Sequence, residues 1–111
     1  MPISEGIEIA KPIELASLID YVDEDISSKK ILENDSAEVV LYALDEDEEI
    51  EMHDSEGDLF VTCLEGEGTV DICTIESHIK PGSAVFVAIE HPYAIYADGG
   101  TKLKVMVTIV K

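Results

Sequence analysis

Turn-forming residues cut most of this sequence into pieces too short for ordinary helices. Asn34-Asp35-Ser36, Gly66-Glu67-Gly68, Pro81-Gly82, His91-Pro92 and Asp98-Gly99-Gly100 each combine residues that favour reversal of the chain. The stretches between them are rich in β-branched and aromatic residues: Ala37 to Leu44, Asp58 to Leu64, Thr69 to Ile75, Ala84 to Ile89, Tyr93 to Ala97 and Leu103 to Val110. In the last of these, Leu103, Val105, Val107 and Ile109 alternate onto one face. Ala84 to Ile89 is apolar without a break, which predicts burial on both faces. Ile26 to Glu33 and a short piece around His78 and Ile79 read as further strands, so roughly eight strands are expected, at the spacing of an all-β sandwich or barrel.

Only one segment has a helical period. Leu15, Leu18, Ile19 and Val22 fall at i, i+3, i+4 and i+7, behind Pro12 and ahead of the acids Asp23 to Asp25. A helix this short needs a surface on which to lay its apolar face. At 111 residues the chain is the size of one domain. Residues 1–36 supply the helix and a strand to the same domain as the main β region, residues 37–111.

Charge narrows the partners. Seven basic against 25 acidic residues leave a net −18. A nucleic-acid surface needs lysines and arginines against phosphates, and an anionic membrane needs the same. Both are excluded as expectations; solubility, or attraction of a cationic ligand, remains. The acid run Asp45 to Glu49 predicts a solvated loop, since it lacks the spaced ligands and central glycine of a calcium loop. No apolar run is long enough to cross a bilayer, and MPISEGIEIAKP lacks the basic and apolar regions of an export signal, so a cytoplasmic protein is expected. Cys63 and Cys73 both sit in strand-like text and read as buried free thiols.

The text HDSEGDLFVTCLEGEGTV, followed by IKPGSAVFVAIEHPYAIYA, resembles the two motifs of the cupin superfamily. The histidine before a strand that ends in a glycine turn matches the first motif, and Pro81-Gly82 before a strand matches the second. From Ile13 to Lys111 the chain is similar to small conserved-barrel cupins (the cupin 2 family). The resemblance implies an all-β, cupin-type double-stranded β-helix, a jelly-roll barrel with a short N-terminal helix. It also implies a homodimer in which the N-terminal helix and the Ile26 strand pack on a partner.

The metal motif of that family carries over poorly. Aligned on Gly66, its first histidine is His53, its second falls on Ser55 and its glutamate on Leu59; aligned on Gly82, its third histidine falls on Tyr93. One histidine, a hydroxyl, an aliphatic group and a phenol make a weak donor set for a transition metal. No cofactor is therefore expected. Should a divalent transition metal bind after all, His53, His91, Asp58 and Tyr93 are the fallback ligands, with Asp58 reaching in through a bulge.

Alternation from Leu59 places Val61 and Cys63 on the same inward face. The expected pocket is His53, Ser55, Leu59, Val61, Cys63 and Tyr93: mostly apolar with a few polar groups, as small-molecule sites are. Three functions fit: a barrel that binds a small organic molecule without catalysis; an isomerase- or oxygenase-like enzyme, metal-dependent or using His53 and Tyr93 as an acid–base pair; or a structural homodimeric module. No catalytic residue can be assigned from sequence.

Overall fold

The computed structural model describes residues 7, 8 and 10–111. Most residues on which the export-signal reading rests lie outside that set. Nine strands follow a single 3-10 turn, Leu15–Leu18: β1 (Ile26–Glu33), β2 (Ala37–Leu44), β3 (Glu49–His53), β4 (Asp58–Gly66), β5 (Gly68–Ile72), β6 (Ile75–Ile79), β7 (Ala84–Val87), β8 (Tyr93–Ala97) and β9 (Leu103–Val110). They form two antiparallel sheets, ordered β1-β2-β9-β4-β7 and β3-β8-β5-β6. The chain is an all-β double-stranded barrel, as its turn spacing predicts.

The core lies between the sheets. Leu103, Val105 and Val107 from β9, Leu59, Val61 and Cys63 from β4 and Val87 from β7 meet Val70, Ile79 and Ile95 of the other sheet. Alternation explains the selection, because each strand turns every second residue inward. Gly66 is required at the end of β4: its φ is +80°, and a Cβ there would lie 1.8 Å from the Lys102 carbonyl oxygen.

A second cluster covers the outer face of the larger sheet. Ile19 from the N-terminal segment is buried against Ile31, Leu41 and Ala43, with Ile7, Leu15, Leu18 and Tyr21 packed around them. This segment therefore lies on its own chain. Lys104, on the outer face of β9 and only 7% exposed, donates from Nζ to the Ala16 carbonyl at 2.7 Å. Tyr21 stacks under Lys102 and Lys104 and donates its hydroxyl to Glu65 at 2.6 Å.

Four expectations need correction. The helix is one 3-10 turn: Ile19 is already extended, at φ −140° and ψ 142°, and Val22 is exposed. The segment gains more by lying flat on the sheet than by closing another turn. The acid run contains a loop, but its last member, Glu49, opens β3, a strand hidden by its charges. The Thr69 to Ile75 strand is interrupted at Cys73 and Thr74, whose φ values of 50° and 71° make a tight hairpin turn; Cys73 is exposed there, whereas Cys63 is buried. Finally, Ala84–Val87 is an edge strand with one open face, so Phe86 is 51% exposed.

Candidate functional site

The connections define two ends of the barrel. The turn at residues 34–36, the loops 54–57 and 88–92, the Cys73-Thr74 hairpin and Lys111 share one end, because register pairs Ala37 and Asp58 with Val110, Leu59 with Val87, and both His53 and Ile72 with Tyr93. His53 closes β3 and Tyr93 opens β8 at this end, which we term the mouth.

Register brings these two rings into contact. His53 lies against Tyr93 with centroids 4.6 Å apart and planes tilted by 47°. Tyr93 is only 4% exposed and belongs to the main core cluster, whereas His53 is on the rim. Burial first, then Tyr42 and the Glu38 carboxylate, push the Tyr93 phenol from its usual 10 to about 12. It remains a neutral O–H across the physiological range, a hydrogen-bond donor rather than a base. His53 Nδ1 lies 2.9 Å from the Glu51 carbonyl oxygen. A carbonyl only accepts, so Nδ1 carries the proton and Nε2 of the neutral ring keeps its lone pair.

The other residues of the expected pocket separate. Leu59, Val61 and Cys63 share the inward face of β4, but all three are packed solid within the core. Burial pushes the Cys63 thiol up to about 11, so it is an inert apolar group there. Ser55 turns back into its own loop, where its hydroxyl donates to the Gly57 carbonyl at 2.6 Å. Of these, Leu59 lies nearest the mouth end of β4 and shares the core cluster with Tyr93.

Tyr42 and Glu38 were not singled out from sequence, yet both act on the Tyr93 phenol from the inward face of β2. The signal was present: Val40 and Leu44 are buried core residues, and Glu38 and Tyr42 share their parity along the strand. Glu38 is held by Lys30 at 3.1 Å and Lys111 at 3.7 Å, and the same two lysines reach Glu33. Beside this lattice a concavity of about 410 Å³ opens between Glu33, Asn34, Asp35 and Lys111.

The donor set does not suit the metal that a cupin motif ordinarily holds. At the four ligand positions stand an imidazole bonded to a backbone carbonyl, a hydroxyl committed to Gly57, an aliphatic side chain and a phenol whose ionisation is disfavoured. The fallback donors point elsewhere. Asp58 is exposed and accepts the Ile89 N–H at 2.8 Å, and His91 is exposed with Nδ1 beside the Ile89 carbonyl. Among the described residues, no group of three or more histidine, cysteine or acidic side chains gathers at metal-binding distance.

The same architecture recurs in solved structures. A cupin superfamily protein from Desulfitobacterium hafniense superposes with a TM-score of 0.87 at 20% identity, over 96% of each chain. A conserved protein of unknown function from Streptococcus pyogenes gives 0.88 at 24% identity, over 100% of this chain and 96% of that one. A cupin 2 conserved barrel domain protein from Leptotrichia buccalis gives 0.85 at 29% identity, over 96% of this chain and 50% of that one. No protein-family model and no curated protein matches the sequence. The two-sheet barrel of this chain is the cupin fold, shared with small conserved-barrel proteins of that kind.

Proposed function

We propose that the mouth of this barrel binds a small organic molecule without transforming it. The observation that carries the reading is the His53–Tyr93 pair: an imidazole with one uncommitted nitrogen and a neutral phenol, their rings in contact at the edge of the apolar core. A ligand that offers a hydrogen to Nε2 and an oxygen to the phenol, on a compact apolar body, fits this chemistry. The filled core below limits it to the mouth, and the net charge of −18 favours a neutral or cationic molecule over an anion. We place the protein in the cytoplasm, where its free thiols are stable, and expect neither nucleic acid nor membrane as partner. Among the described residues no helix is long and apolar enough to cross a membrane.

The test is a ligand-observed NMR screen of neutral and cationic metabolites. Hits should lose binding in His53→Ala and weaken about fivefold in Tyr93→Phe, the effect of one hydrogen bond. Hits that are indifferent to both substitutions, or no hit at millimolar concentration, would remove this reading. Elemental analysis of dialysed protein should show no stoichiometric iron, manganese or zinc.

A further inference from the structure

Register shows which side chains share the row of each sheet nearest the mouth. Across the larger sheet that row runs Glu33 on β1, Glu38 on β2, Ile109 on β9, Leu59 on β4 and Val87 on β7. Leu59 and Val87 belong to the main core and Ile109 packs against it, so the row faces inward, Glu38 with it. In the smaller sheet the corresponding row is His53 on β3, Tyr93 on β8 and Ile72 on β5. β6 meets β7 where the two sheets close, so β3 and β8 lie toward β2 and β9. Both rows therefore pass from polar to apolar in the same direction. One side of the mouth carries Glu38, His53 and Tyr93; the other carries Ile109, Leu59, Ile72 and Val87. About 10 Å, two strand spacings, separates the Glu38 strand from the Leu59 strand.

The sign of the polar side follows from depth. Glu33 and Glu38 share Lys30 at 3.1 Å and Lys111 at 3.7 Å. Of these four side chains Glu38 is the least exposed, at 17%, and Lys30 the most. The deepest charge is thus a carboxylate. The two phenols respond to it. Burial first and then Glu38 hold Tyr42 above its usual value, and at Tyr93 burial, Tyr42 and Glu38 act with no lysine to offset them. Each lysine has Glu33 as a second acid, so either can leave Glu38 and keep a partner.

We infer that the molecule bound at the mouth is an organic cation, with its ammonium against the Glu38 carboxylate in place of Lys30 and its apolar body along Ile109 toward Leu59. This rests on the binding role proposed above for His53 and Tyr93, and adds the sign of the ligand's charge and the residue that reads it. An ammonium gives the carboxylate a charge-assisted bond. An anionic ligand would meet Glu38 at the bottom of the lattice, inside a chain at −18. A neutral head group would leave Lys30 in place and gain the apolar contact alone. The ligand class is a primary or secondary amine, protonated at neutral pH, on a compact apolar body.

Three probes of similar shape and different charge test this by NMR titration of the wild-type protein: benzylammonium, benzyl alcohol and benzoate. Benzylammonium should bind about tenfold tighter than benzyl alcohol, the margin of a charge-assisted over a neutral hydrogen bond, and benzoate should bind weakest. Glu38→Gln keeps the shape and removes the charge. It should bring benzylammonium down to the level of benzyl alcohol and leave benzyl alcohol unchanged. Lys30→Met removes the competitor and should tighten benzylammonium several-fold. His53→Ala should weaken benzylammonium and benzyl alcohol alike. If benzylammonium has no advantage over benzyl alcohol, if that advantage survives Glu38→Gln, or if benzoate binds best, the cation inference falls while His53-dependent binding stands. If Glu38→Gln acts and His53→Ala does not, the cation site stands and the role of the His53–Tyr93 pair falls. Should Glu38→Gln fail to fold, Lys30→Met decides: no gain for benzylammonium overturns the inference. No binding by any probe at millimolar concentration overturns it as well.

Discussion

His53 and His78 sit at opposite ends of one barrel and are held in different ways. His78 projects from β6 between the β4–β5 and β8–β9 turns; its Nε2 lies 3.4 Å from Glu67 and its Nδ1 3.0 Å from Asp98. Asp98 in turn accepts from Thr69 at 2.8 Å, and Thr101 ties the same two turns together through the Glu67 and Asp98 carbonyls. At the mouth, His53 has one backbone partner and an uncommitted nitrogen, beside a phenol with no side-chain partner among the described residues. A histidine engaged at both nitrogens staples turns; one left half engaged is available to something that is not protein. The fold is the same at both ends, and only the satisfaction of polar groups differs.

The sharpest way to probe that contrast is to weaken each end and ask what is lost. The largest effect is expected from Leu103→Ala, which opens a cavity in the fully buried core toward the His78 end. It should cost about 3 kcal/mol in urea unfolding and leave ligand binding at the mouth intact. A loss below about 1 kcal/mol would mean that the core collapses around the gap.

Alkaline titration comes next. Between pH 10 and pH 12 the unfolded chain releases the Tyr93 proton while the folded chain keeps it, so the folded state is favoured below that window and loses the advantage across it. The loss from this residue is on the order of 2 to 3 kcal/mol. Tyr93→Phe should flatten the fall of unfolding free energy over this range; an unchanged slope would show that the phenol reaches solvent freely.

Smaller still is His78→Ala. Its two contacts are half exposed, so about 0.5 kcal/mol is expected. His53→Ala should change stability least, within about 0.5 kcal/mol as for an exposed side chain, yet remove binding altogether. If His53→Ala instead destabilised the protein more than His78→Ala, the two histidines would have exchanged roles.

The strands were legible wherever alternation was clean and turns were marked. Ile26–Glu33, Ala37–Leu44, Tyr93–Ala97 and Leu103–Val110 are strands over the residues the pattern assigns. What escaped had physical causes. Glu49–His53 is an edge strand in which only Ile50 packs against the core while its neighbours are exposed, so it reads as loop. Cys73 and Thr74 turn the chain without glycine or asparagine, the residues that usually announce such a turn. The His53–Tyr93 contact could be suspected from motif alignment, but the part played by Glu38 and Tyr42 depends on strand order, which pairs β2 with β9 and not with β3. Parity along a strand tells which side a residue faces; it does not tell what stands across from it.

The tether from Lys104 to Ala16 has a practical consequence for anyone trimming this protein. Ile31, Leu41 and Ala43 look like surface positions on the outer side of a sheet, yet they are dry only because the stretch around Leu15–Tyr21 is tied down over them. A shortened version beginning at β1 would keep every rung of its ladders and still come out of solution, since it would bare a greasy flank that the full chain never shows to water.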